Sequence, residues 1–378
     1  MKTVLISGGG IAGSALAGLL RDRGLVPTVV ERAPGPRRGG QAVDIRGVAL
    51  DVVDRMGLLE KAREVRTRMR GMSVLDADGN EVHRSTEATF SSGRLDSADI
   101  EVLRDDLVQL LQDHTRDGVE YLFGDSITAL TQEEDEDEGE AAGGGVRVDF
   151  AHHPSRTFDL VVAADGLHSS VRRLVFGAEE QFSRHLGSYL SVFGADNFLG
   201  LDNWQTWLRD GDAGFGIMPV RENTELRIAF GFASEPLDGD RRDPERLRQL
   251  VVEKAAALRW EGERLAKAAA EAPDFYCDAM AQIHMDHWSR GRVVLLGDAG
   301  YCPSPLSGQG TSLALVGAHV LAQELPRPGA DHRAAFARYE ERMRPYVELN
   351  QALATENAGG PASEESVERA KNAIDLDA

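Results

Sequence analysis

The 378-residue sequence is short of several things, and each shortage narrows the field. It has two cysteines, Cys277 and Cys302, too few for a disulfide framework and without metal-ligand spacing, so they read as thiols of a reducing compartment. Lysine occurs only at Lys2, Lys61, Lys254, Lys267 and Lys371, and the formal net charge is −20. So acidic a balance disfavours nucleic acid or an anionic membrane as partner, because both repel it. Long apolar runs are missing too; Val293-Val294-Leu295-Leu296 is strand-sized, not membrane-sized. Lys2 leads straight into a strand with no hydrophobic stretch and cleavage site behind it, which reads as no signal peptide and a cytoplasmic protein. What is present in quantity is apolar residue, 42%, enough for a real core.

The chain opens as strand, glycine loop, helix, strand: β-branched Thr3–Ser7, helical spacing over Ile11–Arg23, and β-branched Pro27–Glu31. Between them stands Gly8-Gly9-Gly10-Ile11-Ala12-Gly13, a G-x-G-x-x-G. Gly8 suits the tight turn, Gly10 a close approach of pyrophosphate to backbone, and Gly13 close helix–sheet packing. Glu31 ends the second strand, with Arg32 after it, where an acid accepts from a ribose. Together these predict dinucleotide binding, without separating FAD from NAD. A second strand, Asp159–Ala164, delivers Asp165-Gly166 to a turn followed by the hydroxyl residues Ser169 and Ser170; the carboxylate there either ties turn to helix or binds a cofactor. A third, Arg292–Leu296, runs into Gly297-Asp298-Ala299-Gly300, then through Pro303, Pro305 and Gly308-Gln309-Gly310 into a helix. Asp298 suits a sugar-like chain, and the loop amides an anionic or electron-rich ring edge.

Elsewhere Val48–Arg66 reads as helix, Met72–Arg84 as a hairpin about Asp78-Gly79, Leu103–His114 as helix and Val119–Leu130 as a strand. The acidic run Glu133–Glu138 with Gly143-Gly144-Gly145 reads as a solvated hairpin tip. Tyr189–Ala233 changes to aromatic and β-branched segments of antiparallel type, Pro244–Ala270 is helical, Asp331–Thr355 is a long polar helix, and the tail beyond Asn357 reads as weakly ordered. The expected fold is α/β: a doubly wound Rossmann-type sheet interleaved with an antiparallel-sheet substrate domain, plus a long C-terminal helix. The expected division is residues 1–71, 98–178 and 286–325 for the nucleotide, 72–97 and 179–285 for substrate, and 326–378 for the C-terminal helix and tail.

At these three motifs, in this order and spacing, the chain resembles the class A flavoprotein monooxygenases, the group of para-hydroxybenzoate hydroxylase and the tetracycline-inactivating enzymes. The resemblance spans roughly residues 1–355. It implies non-covalent FAD, with Gly8, Gly10, Gly13, Glu31 and Arg32 at the ADP half and Asp165-Gly166 as the signature shared by FAD and NAD(P)H. It puts Gly297-Asp298 at the ribityl chain, and Pro305, Gly308, Gln309 and Gly310 beside the isoalloxazine. Arg46, in Gln41–Gly47, resembles the arginine of the mobile flavin-side loop, and Arg104 the helix arginine that touches FAD. Tyr301 stands where His is frequent, Ser312 where Asn is, Gly317 where Asp is, and Ala163 where Gly is usual.

The resemblance further implies that NAD(P)H reduces the flavin and that a C4a-hydroperoxide delivers one oxygen atom from O2 to an aromatic or polycyclic substrate. Phe193, Trp204, Trp207, Phe215, Met218 and Phe230 are expected to line its pocket. No general base stands out; His168, His284 and Tyr301 are candidates, and Arg46 and Tyr301 are the candidate catalytic side chains. Three rivals stay open. A reductase or dehydrogenase saturating an alkene would use the same motifs. A halogenase would too, but its Trp-x-Trp-x-Ile-Pro is absent, since Trp204 and Trp207 are three apart. A non-enzymatic dinucleotide-binding regulator is the third.

Overall fold

A computed structural model describes residues 2–36, 39–132, 144–237, 243–325, 331–357 and 360–378. The acidic run Glu133–Glu138 and Gly143 fall outside these residues.

The first three β-branched segments pair in parallel: Thr3–Ser7 lies between Val26–Glu31 and Leu160–Ala163. Val293–Leu295 adds beyond Leu160–Ala163, Glu120–Phe123 beyond Val26–Glu31, and Ser289–Arg290 closes one edge antiparallel, giving six strands. The central strands are apolar but for Thr3 and Ser7 at the ends of the first, and they are buried on both faces, as a parallel sheet requires. Helices Ile11–Asp22, Arg104–Thr115, Gly310–Glu324 and the 21-residue His332–Ala352 cover it in one continuous core.

A second, seven-stranded sheet runs in the order Tyr276–Ile283, Ser183–Asp196, Glu225–Ala233, Ala213–Val220, Gln205–Asp210, Met72–Leu75, Glu81–Ser85. It carries its own core under helices Pro244–Ala256 and Gly262–Glu271. The predicted hairpin is its far edge, with Asp76 accepting from the Asp78 and Asn80 amides in the turn. The chain thus passes repeatedly between two sheets, and a short ladder, Ala42–Ile45 with Ile100–Leu103, lies among those crossings.

Several boundaries differ from expectation. Val119–Leu130 is two strands in two sheets, because Gly124, at φ +71°, turns the chain between Phe123 and Ile127. Val48–Arg66 breaks likewise into Val48–Arg55 and Leu59–Glu64, and Pro244–Ala270 breaks before Gly262. The tail corrects the reading most. Glu364–Lys371 is a helix capped by Ser363, and Ala370, Lys371 and Leu376 are buried. Its apolar residues are few, so periodicity hid it; backbone carbonyls anchor it, with Ala370 accepting from Asn350 and Leu376 from Gln323. No described helix is long and apolar enough to cross a membrane.

Candidate functional site

Strands Thr3–Ser7, Leu160–Ala163 and Val293–Leu295 end at the same carboxyl edge, where open α/β sheets take ligands. The three glycines of the first motif differ in what holds them there. A Cβ on Gly8 would lie 2.4 Å from the Ala164 carbonyl, and one on Gly13 would lie 1.9 Å from the Gly8 carbonyl, so packing demands both. A Cβ on Gly10 would meet nothing nearer than Arg104 Nη2 at 3.8 Å. Gly10 therefore opens onto a space with a guanidinium on its far side and the uncapped N-terminus of helix Ile11–Asp22 behind it. Free helical N–H groups facing a guanidinium form a donor set for a diphosphate. Glu31 accepts from the amides of Gly9 (2.9 Å) and Ala33 (2.7 Å), while Arg32 is exposed. Gln112, which the sequence reading passed over, donates to the Gly9 carbonyl at 2.8 Å; its sole signal was its helical spacing from Arg104.

The third motif arrives beside the first. Gly297, at φ +64°, is squeezed between the opening turns of two helices, since its Cβ would sit 3.3 Å from Ala12 Cβ and 3.8 Å from Ala314 Cβ. Helix Gly310–Glu324, like Ile11–Asp22, has no side-chain cap, so two adjacent N-termini keep their N–H groups for something else. Burial pushes the Asp298 carboxyl up, and the Cys302 thiol and the Arg104 charge partly offset this. Pro305 is exposed in a short turn, Gly308 follows at φ +64°, and Gln309 is fully buried with neither amide atom bonded. Arg46 lies across this loop. Its amide donates to Ser312 Oγ (3.0 Å), and its guanidinium would come within 3.6 Å of a Cβ on Gly308.

Asp165 resolves the ambiguity of the second motif toward the structural side. Both carboxylate oxygens are used at the following helix, by Ser169 Oγ and by the Ser170 and Val171 amides. Gly166 turns the chain at φ +83°. Arg172 of that helix, quoted in the motif but given no role, is 1% exposed; it donates to the Ala299 and Leu167 carbonyls and to Glu179.

Strand alternation sorts the six expected pocket residues. Phe193, Phe215 and Phe230 point into the core behind the second sheet, so they correct the expectation of an aromatic wall. A one-residue parity decides the face, and parity was not legible before the pairing register was. Trp204 is also taken: it is wedged over Gly71, donates to Ser73, and carries Arg84 4.1 Å above its ring. Met218 and Trp207 lie on the opposite face, Met218 buried there against Leu103 and Val220. There Gly214, Gly216, Ala229 and Gly231 form a floor of small residues, and the Trp207 ring lies over Gly216 with Phe90 edge-on against it at 5.4 Å. At the other end of the face Met280 touches Ser304 of the third-motif loop.

Tyr301 is not a catalytic candidate. It is 1% exposed, its hydroxyl meets that of Tyr339 at 2.8 Å, and burial pushes it up to about 12. The departure at Gly317 follows from it, since a Cβ there would lie 2.2 Å from the Tyr301 hydroxyl. Restoring the acid alone, Gly317→Asp, is expected to destabilise by about 1–3 kcal/mol through overpacking. Adding Tyr301→His should recover part of that, read as a coupling energy in denaturant titrations of the double-mutant cycle.

His284 bonds Gln282 through its ring and the Phe182 carbonyl through its amide. His168 is clamped between Glu179 and Asp278, each at 2.8 Å, and so joins the second motif to the edge strand of the other sheet. Burial alone would lower the ring, but the two carboxylates outweigh it and raise it to about 9. A raised histidine contributes stability that is full below its ordinary 6.5 and lost as pH climbs through 9. Its ring is over a third exposed, so screening holds the effect to on the order of 1 kcal/mol. Thermal melts should therefore drop between about pH 6.5 and 9 in the wild type and not in His168→Gln; equal drops would remove the clamp from the account.

Comparison with known proteins agrees with this geometry. The profile described as an FAD binding domain matches residues 1–352. An uncharacterised protein of Mycobacterium tuberculosis is 50% identical over 100% of this chain and 99% of its own. A flavin-dependent monooxygenase of Legionella longbeachae is 36% identical over 92% of this chain and 86% of its own. Among solved structures, tetracycline destructase Tet(55) superposes with TM-score 0.86 at 37% identity, covering 100% of this chain and 98% of that one. Two sheets linked by repeated crossings, a glycine cradle under two uncapped helix ends, and a matching profile over nearly the whole chain place this protein in the FAD-binding-domain family, as an FAD-dependent monooxygenase.

Proposed function

We propose that the enzyme uses NAD(P)H and O2 to hydroxylate a flat aromatic or polycyclic small molecule lying on the small-residue face of the second sheet. Segments 1–71, 98–178 and 286–325 would serve the flavin, and 72–97 with 179–285 the substrate. In this reading Gly8, Gly10, Gly13, Glu31 and Arg104 hold the ADP half of FAD, with Arg32 at its rim. Asp298 takes the ribityl hydroxyls, and the Pro305–Gly310 loop with Arg46 borders the ring. When bound, the flavin supplies O2 activation and oxygen transfer. The chain's own contribution is placement and dryness: Trp207 and Phe90 wall one end, and Met280 meets the flavin loop at the other.

The observation that carries the substrate class is the run of Gly214, Ala229 and Gly231, where no large side chain rises from the sheet beside the Trp207 ring that covers Gly216. The similarity to a tetracycline destructase points the same way, so tetracycline is the first probe, followed by simpler polyphenols. The expected result is NAD(P)H oxidation stimulated by the probe, with one 18O from 18O2 in the product. A product that has gained hydrogen and no 18O would instead mark a reductase.

A further inference from the structure

Arg46 belongs to a buried group of charges that does not balance. In the short ladder Ala42–Ile45 with Ile100–Leu103, Asp44 and Glu101 are direct cross-strand partners, so both side chains leave the same face. Asp44, Arg46 and Glu101 are 8%, 8% and 6% exposed. Arg46 donates to Asp44 at 2.8 Å and to the Ser91 carbonyl at 2.9 Å. Glu101 accepts from the Thr67 hydroxyl, and its other oxygen, like one of Asp44 and the Nε of Arg46, has no partner. The neighbouring charges do not relieve this: Lys371 is shared by Asp99 at 2.8 Å and Glu368 at 2.5 Å, and Asp99 also accepts from the Gly47 amide. Of these two buried carboxyls Asp44 alone is paired with the guanidinium, and that guanidinium rests against the Gly308 loop.

We propose that Asp44 and Glu101 hold one proton between them, and that this proton positions Arg46 against the Gly308 loop and links FAD binding to pH. The proposal rests on that loop bordering the flavin. Two unprotonated acids so close and so dry would leave an uncompensated negative charge behind the loop, a costly arrangement in a low-dielectric interior. One proton leaves a neutral acid beside an Asp–Arg ion pair. Burial, with Arg46 and the neighbouring acids opposing one another, pushes Asp44 up to about 7, and burial pushes Glu101 up as well. Losing the proton adds a negative charge near an anionic cofactor, so affinity for FAD should fall as pH rises. Glu101 and Asp44 are positioning residues here, acting through Arg46.

The test is FAD titration of the flavin-stripped protein from pH 6 to 9, by calorimetry in buffers of different ionisation enthalpy. Wild type should take up protons on binding FAD above pH 7, and its Kd should weaken toward about tenfold per pH unit, the limit for one linked proton. Glu101→Gln mimics the protonated acid; it should bind FAD as tightly as wild type does at pH 6, with a flat pH profile and no proton uptake. Asp44→Asn removes the second carboxyl from the other side and should flatten the profile too, which covers the case in which one variant fails to fold. Wild-type pH dependence and proton uptake persisting in a folded variant would overturn the proposal. If no preparation binds FAD at any pH, the flavin assignment of the loop fails instead.

Discussion

Gly10→Val is expected to give a folded, soluble and colourless protein. Gly10 sits at φ −78° and ψ −165°, a conformation open to any residue, and its Cβ would meet nothing closer than 3.8 Å. Valine therefore costs little in folding, and a melt should stay within a few degrees of wild type. Its two methyls, however, would fill the space between the helix N-terminus and Arg104, where the proposed reading puts the donors for the FAD diphosphate. Losing those charge-assisted bonds should weaken FAD by about two orders of magnitude or more. Gly13→Val supplies the contrast, because its Cβ would press into the Gly8 carbonyl at 1.9 Å. That variant should fail to fold, so only Gly10→Val separates cofactor from scaffold. A Gly10→Val protein purifying with the full visible absorbance of oxidised flavin would sink the placement of the diphosphate.

This contrast also shows how far the residues speak for themselves. The pattern Gly8, Gly10, Gly13 with Glu31 was readable because each glycine answers a local demand, one turn, one approach and one packing contact, within a single strand–helix–strand unit. The antiparallel sheet was readable as a composition. Its faces were not, since a strand buried on both sides gives no alternation to read, and Phe215 and Gly216 exchange roles with a shift of one residue. The Asp44–Glu101 partnership was out of reach for another reason: 57 positions separate them, and only the ladder register makes them neighbours. Departures from the family pattern at Tyr301 and Gly317 looked like two losses of detail in the sequence. In space they are one exchange, a phenol occupying the room that a glycine vacates.

Arg172→Met should cost more stability than any other single change outside the glycine loop, about 3–5 kcal/mol. The side chain is 1% exposed, and methionine replaces its bulk without its charge. What it holds are ends of the motifs themselves: the Ala299 carbonyl beside Asp298 at 2.9 Å, the Leu167 carbonyl after Asp165-Gly166 at 2.7 Å, and Glu179 at 2.9 Å. Through Glu179 the chain of contacts runs on to His168 and Asp278, and so into the edge strand of the second sheet. Removing the cation leaves two buried carbonyls unpaired and Glu179 with only the His168 ring opposite it, which is the costly half of a buried ion pair. Arg172→Lys should rescue little, because one ammonium cannot reach three acceptors that a planar fork serves from different directions. Denaturant titrations of the flavin-free protein give the loss directly. A separate FAD titration should show affinity falling in the folded protein, since Ala299 and Asp298 drift together. A loss under about 1 kcal/mol with FAD affinity unchanged would mean that the two motifs are held in register by the strands alone.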